Sequence, residues 1–299
     1  TNTRQQFSQG NITFTENNLD LSISGEGFFR LDTNGSVSYT RAGQFGLDRD
    51  GYIVSNDDSR LTGYLGDGFG EITPVIGPIN IDRSDLPPEA TTNIELVANL
   101  DATTDIPAVA FDATNPMSYN YSTSATVIDS LGSSHISTTY FRKTGANTWE
   151  TNTLVDGATL STNTLTFNAS GALDAATGID GAAPDLITIA GFQPDPAVDP
   201  VDLNLDFTNL SQFTNPFGVN ELHVDGHGSG RLTDLDIDST GVIYGRYNNG
   251  ESLAMGQVVM SNFANVNGLR QAGDTAWTET FASGAPATSM APESLVQVT

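Results

Sequence analysis

Apolar and polar residues alternate along several short segments of the chain, beginning with residues 19–23. In this segment Leu and Ile occupy every second position, and Asp and Ser lie between them. A period of two places alternate side chains on opposite faces of a strand, so one face of this segment is expected to be buried. Gly25 and Gly27 interrupt the alternation just before Phe28 and Phe29. We therefore predict a strand, a bend and a second strand that carries two aromatic rings into a core.

Turn residues recur between such segments in a fixed pattern. Each turn begins with Asp or Asn and ends with Gly three positions later, and the pattern occurs at residues 32–35, 48–51, 168–171 and 238–241. An Asp or Asn side chain bonds to the nearby backbone, and Gly adopts the positive φ that tight turns require. The pattern predicts local hairpins and therefore an antiparallel, all-β protein without long helices.

The composition changes at two places, which suggests that the chain passes between domains. Residues 79–108 contain a Pro-Pro pair and several threonines, and a second Pro-rich, polar region falls within residues 194–218. Alternating segments between them, such as residues 136–141, are sufficient for a separate core. The prediction is two β-rich domains, one inserted into the other: a discontinuous domain of residues 1–92 and 219–299, and an inserted domain of residues 93–218.

The charge and the cysteine content argue against several classes of partner and of chemistry. The 299-residue chain has 36 acidic and 11 basic residues and a formal net charge of −25, so it is expected to repel nucleic acids and anionic membrane surfaces. It has no Cys, which excludes disulfides, thiolate nucleophiles and Cys-based metal sites. No apolar run reaches the roughly 20 residues of a membrane span, and no basic-then-apolar signal segment opens the chain. We expect neither a nucleic-acid partner nor a membrane partner.

Three alternating aspartates, Asp234, Asp236 and Asp238, imitate the first ligands of a calcium loop. Such a loop needs Gly at its sixth position and a bidentate Glu at its twelfth, where this chain has Ser239 and Gly245. The same acids are explained by the solvated face of a strand. We therefore interpret them as a strand and not as a calcium site.

Two histidines and an aspartate, His223, Asp225 and His227, lie within five positions and carry atoms that ligate zinc or copper. On an extended strand the three side chains would share one face. The glycines that follow favour a flexible loop over a fixed coordination shell. No metal site is assigned to these residues.

Catalytic and cofactor motifs are missing from the sequence. The Gly-rich segments at residues 63–68 and 226–230 lack the strand-before, helix-after context and the lysine of a phosphate-binding loop. The sequence contains no G-x-S-x-G nucleophile elbow. A glycosidase-like pair of carboxylates stays an open alternative among the 36 acids, because two such residues meet in the folded protein and need not be close in sequence. No catalytic, cofactor-binding or metal-binding residue is assigned, and no cofactor is expected.

Several segments, in order, resemble the axial proteins of the bacterial flagellum and the hook subunits in particular. The resemblance lies in residues 19–31, 39–48 and 61–64 near the start and in residues 255–269 near the end. In these segments the glycines permit bends, the phenylalanines fill a core, and Arg41 is expected to pair with a nearby carboxylate. We call the group near the start and the group near the end the two signature segments. Their presence in the family's order is more specific for this family than any of the motifs above is for its function.

The resemblance implies a structural subunit that is not an enzyme. Such subunits polymerise into a helical homopolymer, a flexible extracellular tube that acts as a universal joint and transmits motor torque to the filament. The discontinuous domain would be the inner hook domain and the inserted domain the outer one. The implied partners are further copies of the chain and the rod, hook cap and hook–filament junction proteins.

Two alternatives stay open at this point. Distal rod-type axial proteins share the first signature but are shorter, so the inserted domain favours a hook subunit. A secreted β-rich adhesin or carbohydrate-binding module has a similar composition but does not explain the two signature segments. Hook subunits also carry terminal amphipathic helices, and this chain shows no apolar heptads at either end. We therefore expect a core fragment that is monomeric in solution.

Overall fold

The regular structure of the protein is almost entirely β. The structure, a computed structural model, describes residues 15, 17–174, 186–273, 275–290 and, as backbone only, 295–297. The described residues divide into two compact units: a first unit that ends at Leu86 and resumes at Gly230, and a second unit from Pro87 to Ser229. The prediction of an all-β fold is confirmed.

The strands follow in chain order. The first unit begins with seven strands: β1 (Leu21–Ile23), β2 (Phe28–Thr33), β3 (Ser36–Thr40), β4 (Phe45–Leu47), β5 (Ile53–Ser55), β6 (Arg60–Gly66) and β7 (Ile72–Pro78). The second unit contains β8 (Asn93–Asp101), β9 (Tyr121–Ile128), β10 (Ser134–Gly145), β11 (Thr148–Val155), β12 (Ala158–Thr166), β13 (Leu186–Phe192), β14 (Val201–Asp206), β15 (Ser211–Phe213) and β16 (Gly218–Val224). The first unit then resumes with β17 (Leu232–Ile237), β18 (Val242–Tyr247), β19 (Ser252–Asn262), a 3₁₀ helix (Val266–Gly268), β20 (Arg270–Gly273), β21 (Ala276–Thr278), β22 (Ala287–Met290) and β23 (Leu295–Gln297).

The second unit packs two sheets around one core. Strands β12-β11-β10-β9 form an antiparallel sheet, and β13-β14-β8-β15, with β16 also paired to β8, form the other. Alternate residues of β8 are buried, as its period of two requires. In the centre, the buried Trp149 donates its indole N–H to Gln212 Oε1 at 2.6 Å. A buried indole needs such a partner, because an unpaired N–H would be left without solvation.

The pairing of β8 departs from the prediction of a purely antiparallel sheet. β14 and β15 both lie parallel to β8. Turn residues predict only hairpins between strands that follow each other in the chain, whereas β8 pairs with strands that follow about a hundred residues later. The prediction of an antiparallel sheet is therefore wrong for these two pairings and correct for the local hairpins.

A single large sheet organises the first unit. Its strand order is β17-β18-β19-β6-β2-β3-β21-β20, with β7 and β5 beside β6 and β22 beside β19. The main apolar core includes Phe29, Leu61, Ile79, Ile243 and Val258, all of them buried. A smaller cluster around Phe28 lies on the other side of β2.

The limits of the two units are set by backbone pairing. Thr91 and Ile128 exchange hydrogen bonds of 2.9 Å, from the Thr91 N–H to the Ile128 carbonyl and from the Ile128 N–H to Thr91 Oγ1. Glu89 and His227 pair as an antiparallel bridge, and β16 pairs with β8. Residues 87–92 and 219–229 therefore pack within the second unit. The predicted inner domain of residues 1–92 and 219–299 and outer domain of residues 93–218 stay a prediction.

Candidate functional site: the scaffold that joins two distant segments

The two signature segments form neighbouring strands of one sheet. In the antiparallel pair β2–β19, Phe29 lies opposite Met260 and Phe28 opposite Ser261. The middle of β19 pairs with β6, where Val258 lies opposite Gly63. The prediction that segments near opposite ends of the chain fold against each other is confirmed, because β19, which carries the second segment, pairs with both β2 and β6 of the first.

Glycine is required where backbones meet inside this scaffold. A Cβ at Gly43 would overlap the carbonyl oxygen of Leu21, and a Cβ at Gly63 would overlap that of Gln257. Neither obstacle is a flexible side chain, so the backbone itself would have to move. Some of the glycines in the sequence are therefore required by the close approach of two strands and not by a turn.

Phe28 and Phe29 face opposite sides of β2 and enter two different clusters. Phe29 stacks edge-on against Phe45 with ring centroids 5.2 Å apart, within the main core. Phe28 meets the rings of Phe263 and Trp277 at 5.9 and 6.0 Å, also edge-on. Edge-on pairs contribute beyond the apolar area that they bury. The prediction that both rings fill a core is confirmed.

Arg41 holds the bend between β1 and β2. Its Nη1 donates to the carbonyl oxygen of Gly27 at 3.0 Å and its Nη2 to that of Gly25 at 2.7 Å. The two glycines have φ of +121° and +113°. Burial lowers the pKa of the guanidinium, and Glu26 opposes that effect. The nearby carboxylate expected for Arg41 is Glu26, which acts on the guanidinium through its charge, while the two carbonyl oxygens accept its hydrogen bonds.

The turn pattern is confirmed in atomic detail. Asp48 Oδ1 accepts the N–H groups of Asp50 and Tyr52 at 2.9 and 2.8 Å. Asn168 and Asp238 accept two backbone N–H groups in the same way. The glycines that close these turns have positive φ. These carboxylate and amide oxygens are therefore used within the fold.

The three alternating aspartates lie on and just after β17, and they do not converge. Leu235 and Ile237, between them, are buried. Asp236 forms an ion pair with Arg246, and Asp238 belongs to the turn described above. Asp234 accepts a hydrogen bond from Asn18 at 2.6 Å. The structure agrees with the interpretation of these acids as one face of a strand.

His223, Asp225 and His227 have separate surroundings. His223 is exposed on β16, and His227 lies 3.5 Å from Glu89. Both oxygens of Asp225 accept hydrogen bonds from Thr92 and Asn93, two from backbone N–H groups and two from side chains. Burial would raise the pKa of the Asp225 carboxyl, but these hydrogen bonds hold it below its usual value. Among the described residues, no group of three His, Cys, Asp or Glu side chains is arranged to hold a metal.

Sequence reasoning missed a triad in the second unit, in which His135 lies between two carboxylates. Its Nδ1 is 2.6 Å from Asp156 Oδ2 and its Nε2 is 3.2 Å from Asp129 Oδ2. Burial lowers the pKa of the imidazole, but hydrogen bonds to Asp156 and Asp129 outweigh this and raise it overall. Asp129 belongs to a turn of the Asx type, which is visible in the sequence, whereas nothing local indicates Asp156.

No helix that the structure describes is long and apolar enough to cross a bilayer.

Comparison with known proteins agrees with the scaffold. A family profile described as "Flagellar hook protein FlgE/F/G D1 domain" matches residues 22–99, and one described as "Flagellar basal body protein FlaE D2 domain" matches residues 99–227. The solved structure of the Helicobacter pylori flagellar hook protein FlgE2 covers 92% of this chain and 95% of its own, with a TM-score of 0.68 and 15% identity. That likeness shows a shared fold.

Sequence relatives are similar along nearly the whole chain. The flagellar hook protein FlgE of Escherichia coli is 36% identical over 294 residues, which cover 94% of this chain and 70% of that protein. FlgE of Salmonella typhimurium is 34% identical over 302 residues with the same coverage, and FlgE of Borreliella burgdorferi is 29% identical over 305 residues. The chain belongs to the flagellar hook protein FlgE family.

Proposed function

We propose that this chain, a structural subunit of the bacterial flagellar hook outside the cell, polymerises into a flexible tubular joint that transmits torque and has no enzymatic activity. The observation that supports this most directly is the pairing of β2 with β19. It joins two segments that lie more than 200 residues apart in one sheet, so a load on the first unit is carried by a hydrogen-bonded ladder and by a buried core.

The polar groups of the molecule support a mechanical role. The acids of the Asx turns bond to backbone, Asp225 clamps two neighbouring residues, and Asp236 pairs with Arg246. Groups engaged in this way stabilise turns and strand ends, which suits a subunit whose function depends on its shape.

The partners proposed are further copies of the chain in a helical homopolymer, together with rod, hook cap and hook–filament junction proteins at its ends. A helical filament forms when one surface of a subunit meets a different surface of the next and the contact does not close into a ring. In this proposal the first unit is the inner domain and the second is the inserted outer domain. The 299-residue chain by itself is expected to sediment as a monomer.

The proposal is tested by expressing the whole hook protein that carries this sequence in a bacterial strain that lacks its own hook gene. We expect motility to be restored and short curved tubes to be visible by electron microscopy. Met260→Glu, which places a charge in the buried β2–β19 contact, is expected to abolish the tubes.

The matched control is Met290→Glu, because Met290 is 56% exposed on β22, and this variant is expected to form hooks. Failure of the unaltered protein to form tubes, together with specific binding on a glycan array, would instead support an adhesin.

A further inference from the structure

The turn between β2 and β3 contains an Asn-Gly pair. Its two loop residues are Asn34 and Gly35, both exposed, and their φ angles are +52° and +87°. Positive φ at both positions is typical of the two-residue hairpin turn that Asn-Gly favours. A Cβ at Gly35 would meet nothing within 4 Å, so the space beside this glycine is open. Water therefore has access to the peptide unit that joins the two residues.

An Asn-Gly pair brings together two groups that react with each other. The backbone nitrogen of the glycine is the nucleophile, and the side-chain carbonyl carbon of the asparagine, Cγ, is the electrophile. Gly35 has no Cβ that would obstruct the approach, and its backbone rotates at little cost. Because the two groups belong to adjacent residues, their encounter is intramolecular, which greatly favours the reaction.

Asp32 supplies a proton acceptor at the reacting nitrogen. Its Oδ1 accepts the N–H of Gly35 at 3.1 Å. The nitrogen attacks only as its proton leaves, and a carboxylate within hydrogen-bond distance of that proton has the position that a general base requires. The base, the electrophile and the nucleophile therefore lie within one turn, at residues 32–35.

The other two Asn-Gly pairs of the sequence have a different acceptor at the glycine nitrogen. The N–H of Gly250 bonds to the carbonyl oxygen of Tyr247 at 3.1 Å, and the N–H of Gly268 bonds to that of Asn265 at 3.0 Å. A neutral carbonyl oxygen is a much weaker base than a carboxylate. Neither of these acceptors is therefore suited to take the proton.

These two pairs are also restrained by their surroundings. Asn249 Oδ1 accepts the N–H of Glu251 at 3.1 Å, so the side chain that would react at Gly250 is already bonded. A Cβ at Gly268 would lie 2.4 Å from the backbone carbonyl carbon of Ala282, so this glycine is closely packed against another part of the chain. The fold therefore distinguishes Asn34 from the asparagines of the other two pairs.

We propose that Asn34 is a self-modification site, at which the Gly35 nitrogen cyclises onto the Asn34 side chain with Asp32 as the proton acceptor, and that aspartate and isoaspartate accumulate there as the subunit ages. The reaction needs only water as a further reactant. It does not depend on polymerisation, so its failure would leave the proposed function standing.

The reaction proceeds in two steps. The Gly35 nitrogen forms a bond to Cγ of Asn34, and its proton passes to Asp32. The bond between Cγ and the side-chain nitrogen then breaks, and Asp32 returns the proton to the leaving group, which departs as ammonia. The product is a cyclic imide, and water opens it at either of its two carbonyl carbons. Attack at Cγ gives aspartate, and attack at the main-chain carbonyl carbon gives isoaspartate, whose main chain runs through the former side chain.

The two products differ in their effect on the hairpin. Thr33 lies opposite Ser36 directly beside the two-residue turn. An aspartate leaves the main chain unaltered and adds a negative charge. An isoaspartate adds a methylene carbon to the main chain, so the turn no longer matches the register of β2 and β3. Because β2 also pairs with β19, we expect the isoaspartate form to weaken the scaffold.

Peptide mapping of the purified 299-residue chain during storage at a mildly alkaline pH tests the proposal. Mass spectrometry measures the conversion of amide to acid at each asparagine, and chromatography separates the aspartate and isoaspartate peptides. We expect Asn34 to convert several-fold faster than Asn249 and Asn267. Conversion of Asn249 or Asn267 at an equal or higher rate overturns the inference. In the urea-unfolded chain the three rates are expected to approach one another, and a lead of Asn34 that is unchanged in urea overturns the role of the fold.

Asp32→Asn tests the proton acceptor. The new amide oxygen still accepts the N–H of Gly35, but it is too weak a base to take the proton, so we expect the conversion of Asn34 to slow several-fold. The matched control is Glu71→Gln, the same exchange of a carboxylate for an amide at another exposed position of the first unit, and it is expected to leave the rate unchanged. Equal rates in the Asp32→Asn and unaltered chains overturn the inference.

Urea unfolding tests the effect on the hairpin. The Asn34→Asp chain, which carries the ordinary aspartate, is expected to unfold at the same urea concentration as the unaltered chain. The isoaspartate form, separated by chromatography, is expected to unfold at a lower concentration. Equal unfolding of the two forms overturns the proposed effect on the scaffold, since it shows that the turn accepts the longer main chain.

Discussion

Phe29 and Met260 lie opposite each other in adjacent antiparallel strands, although the segments that carry them are near opposite ends of the chain. Both are at most 1% exposed. The residues of the second unit lie between these two strands in the sequence. Stability of the first unit therefore depends on contacts of very long sequence separation, which fold slowly because the intervening chain must be ordered or looped out.

Gly43→Ala is expected to lower the free energy of unfolding by about 1–3 kcal/mol, the usual range for overpacking. The added Cβ would overlap the backbone carbonyl of Leu21, so β1 and the segment after β3 would have to separate. Gly46→Ala is the matched control, since Gly46 has open space around its Cβ position, and it is expected to change stability by less than about 0.5 kcal/mol. Urea unfolding measures both, and equal effects would contradict the close-approach argument.

Arg41→Lys is expected to destabilise the first unit by about 1–2 kcal/mol, because a lysine retains the charge but loses the fork that bonds to two carbonyls. Arg49→Lys, at an exposed position in a turn, serves as the control and is expected to be neutral. Thermal unfolding of the two variants decides the matter. An Arg41→Lys protein as stable as the unaltered one would show that the carbonyl contacts contribute little.

The His135 triad predicts a pH dependence of stability with a definite sign. Desolvation lowers the pKa of His135 but its bonds to Asp156 and Asp129 raise it above the ordinary 6.5, so the folded state binds this proton more tightly than the unfolded state. The resulting stabilisation is complete below the unfolded pKa and is lost as the pH rises through the folded pKa. We expect the second unit to become less stable as the pH rises from 6.5, the ordinary pKa of histidine, through the raised pKa of the folded state.

His135→Asn is expected to remove this slope, and His223→Asn, on an exposed residue of β16, is expected to retain it. Urea unfolding at a series of pH values is the measurement. A slope that persists in His135→Asn would assign the pH dependence to other groups. The pKa values of Asp129 and Asp156 are lowered in the fold, so their contribution has the opposite sign and is lost only as the pH falls through their folded values.

The two tryptophans test whether the units unfold independently. Trp149 is buried in the second unit, and Trp277 lies in the aromatic cluster of the first. In Trp149→Phe and Trp277→Phe proteins, fluorescence reports one unit at a time. We expect Gly43→Ala to shift only the transition seen by Trp277, because the two cores share no buried residue. Coincident shifts of both signals would indicate a single cooperative unit.

Local features of this protein were predictable from its sequence because they depend on neighbours. The alternation at residues 19–23 predicted a strand with a buried face. The Asx-x-x-Gly pattern predicted the turns at Asp48, Asn168 and Asp238, since an Asx side chain reaches backbone N–H groups two to four residues away without any tertiary contact. The two signature segments were likewise sufficient to indicate a hook subunit, whereas the acidic composition argued only against nucleic-acid and membrane partners.

Only the tertiary structure decided which distant groups meet. It placed β14 and β15 parallel to β8, gave Arg41 two carbonyl acceptors for its hydrogen bonds, and brought Asp156 to His135. Such contacts depend on the strand order and register of a folded sheet. A local pattern determines which face of a strand is buried, but the packing of the whole chain determines what that face, or that edge, comes to touch.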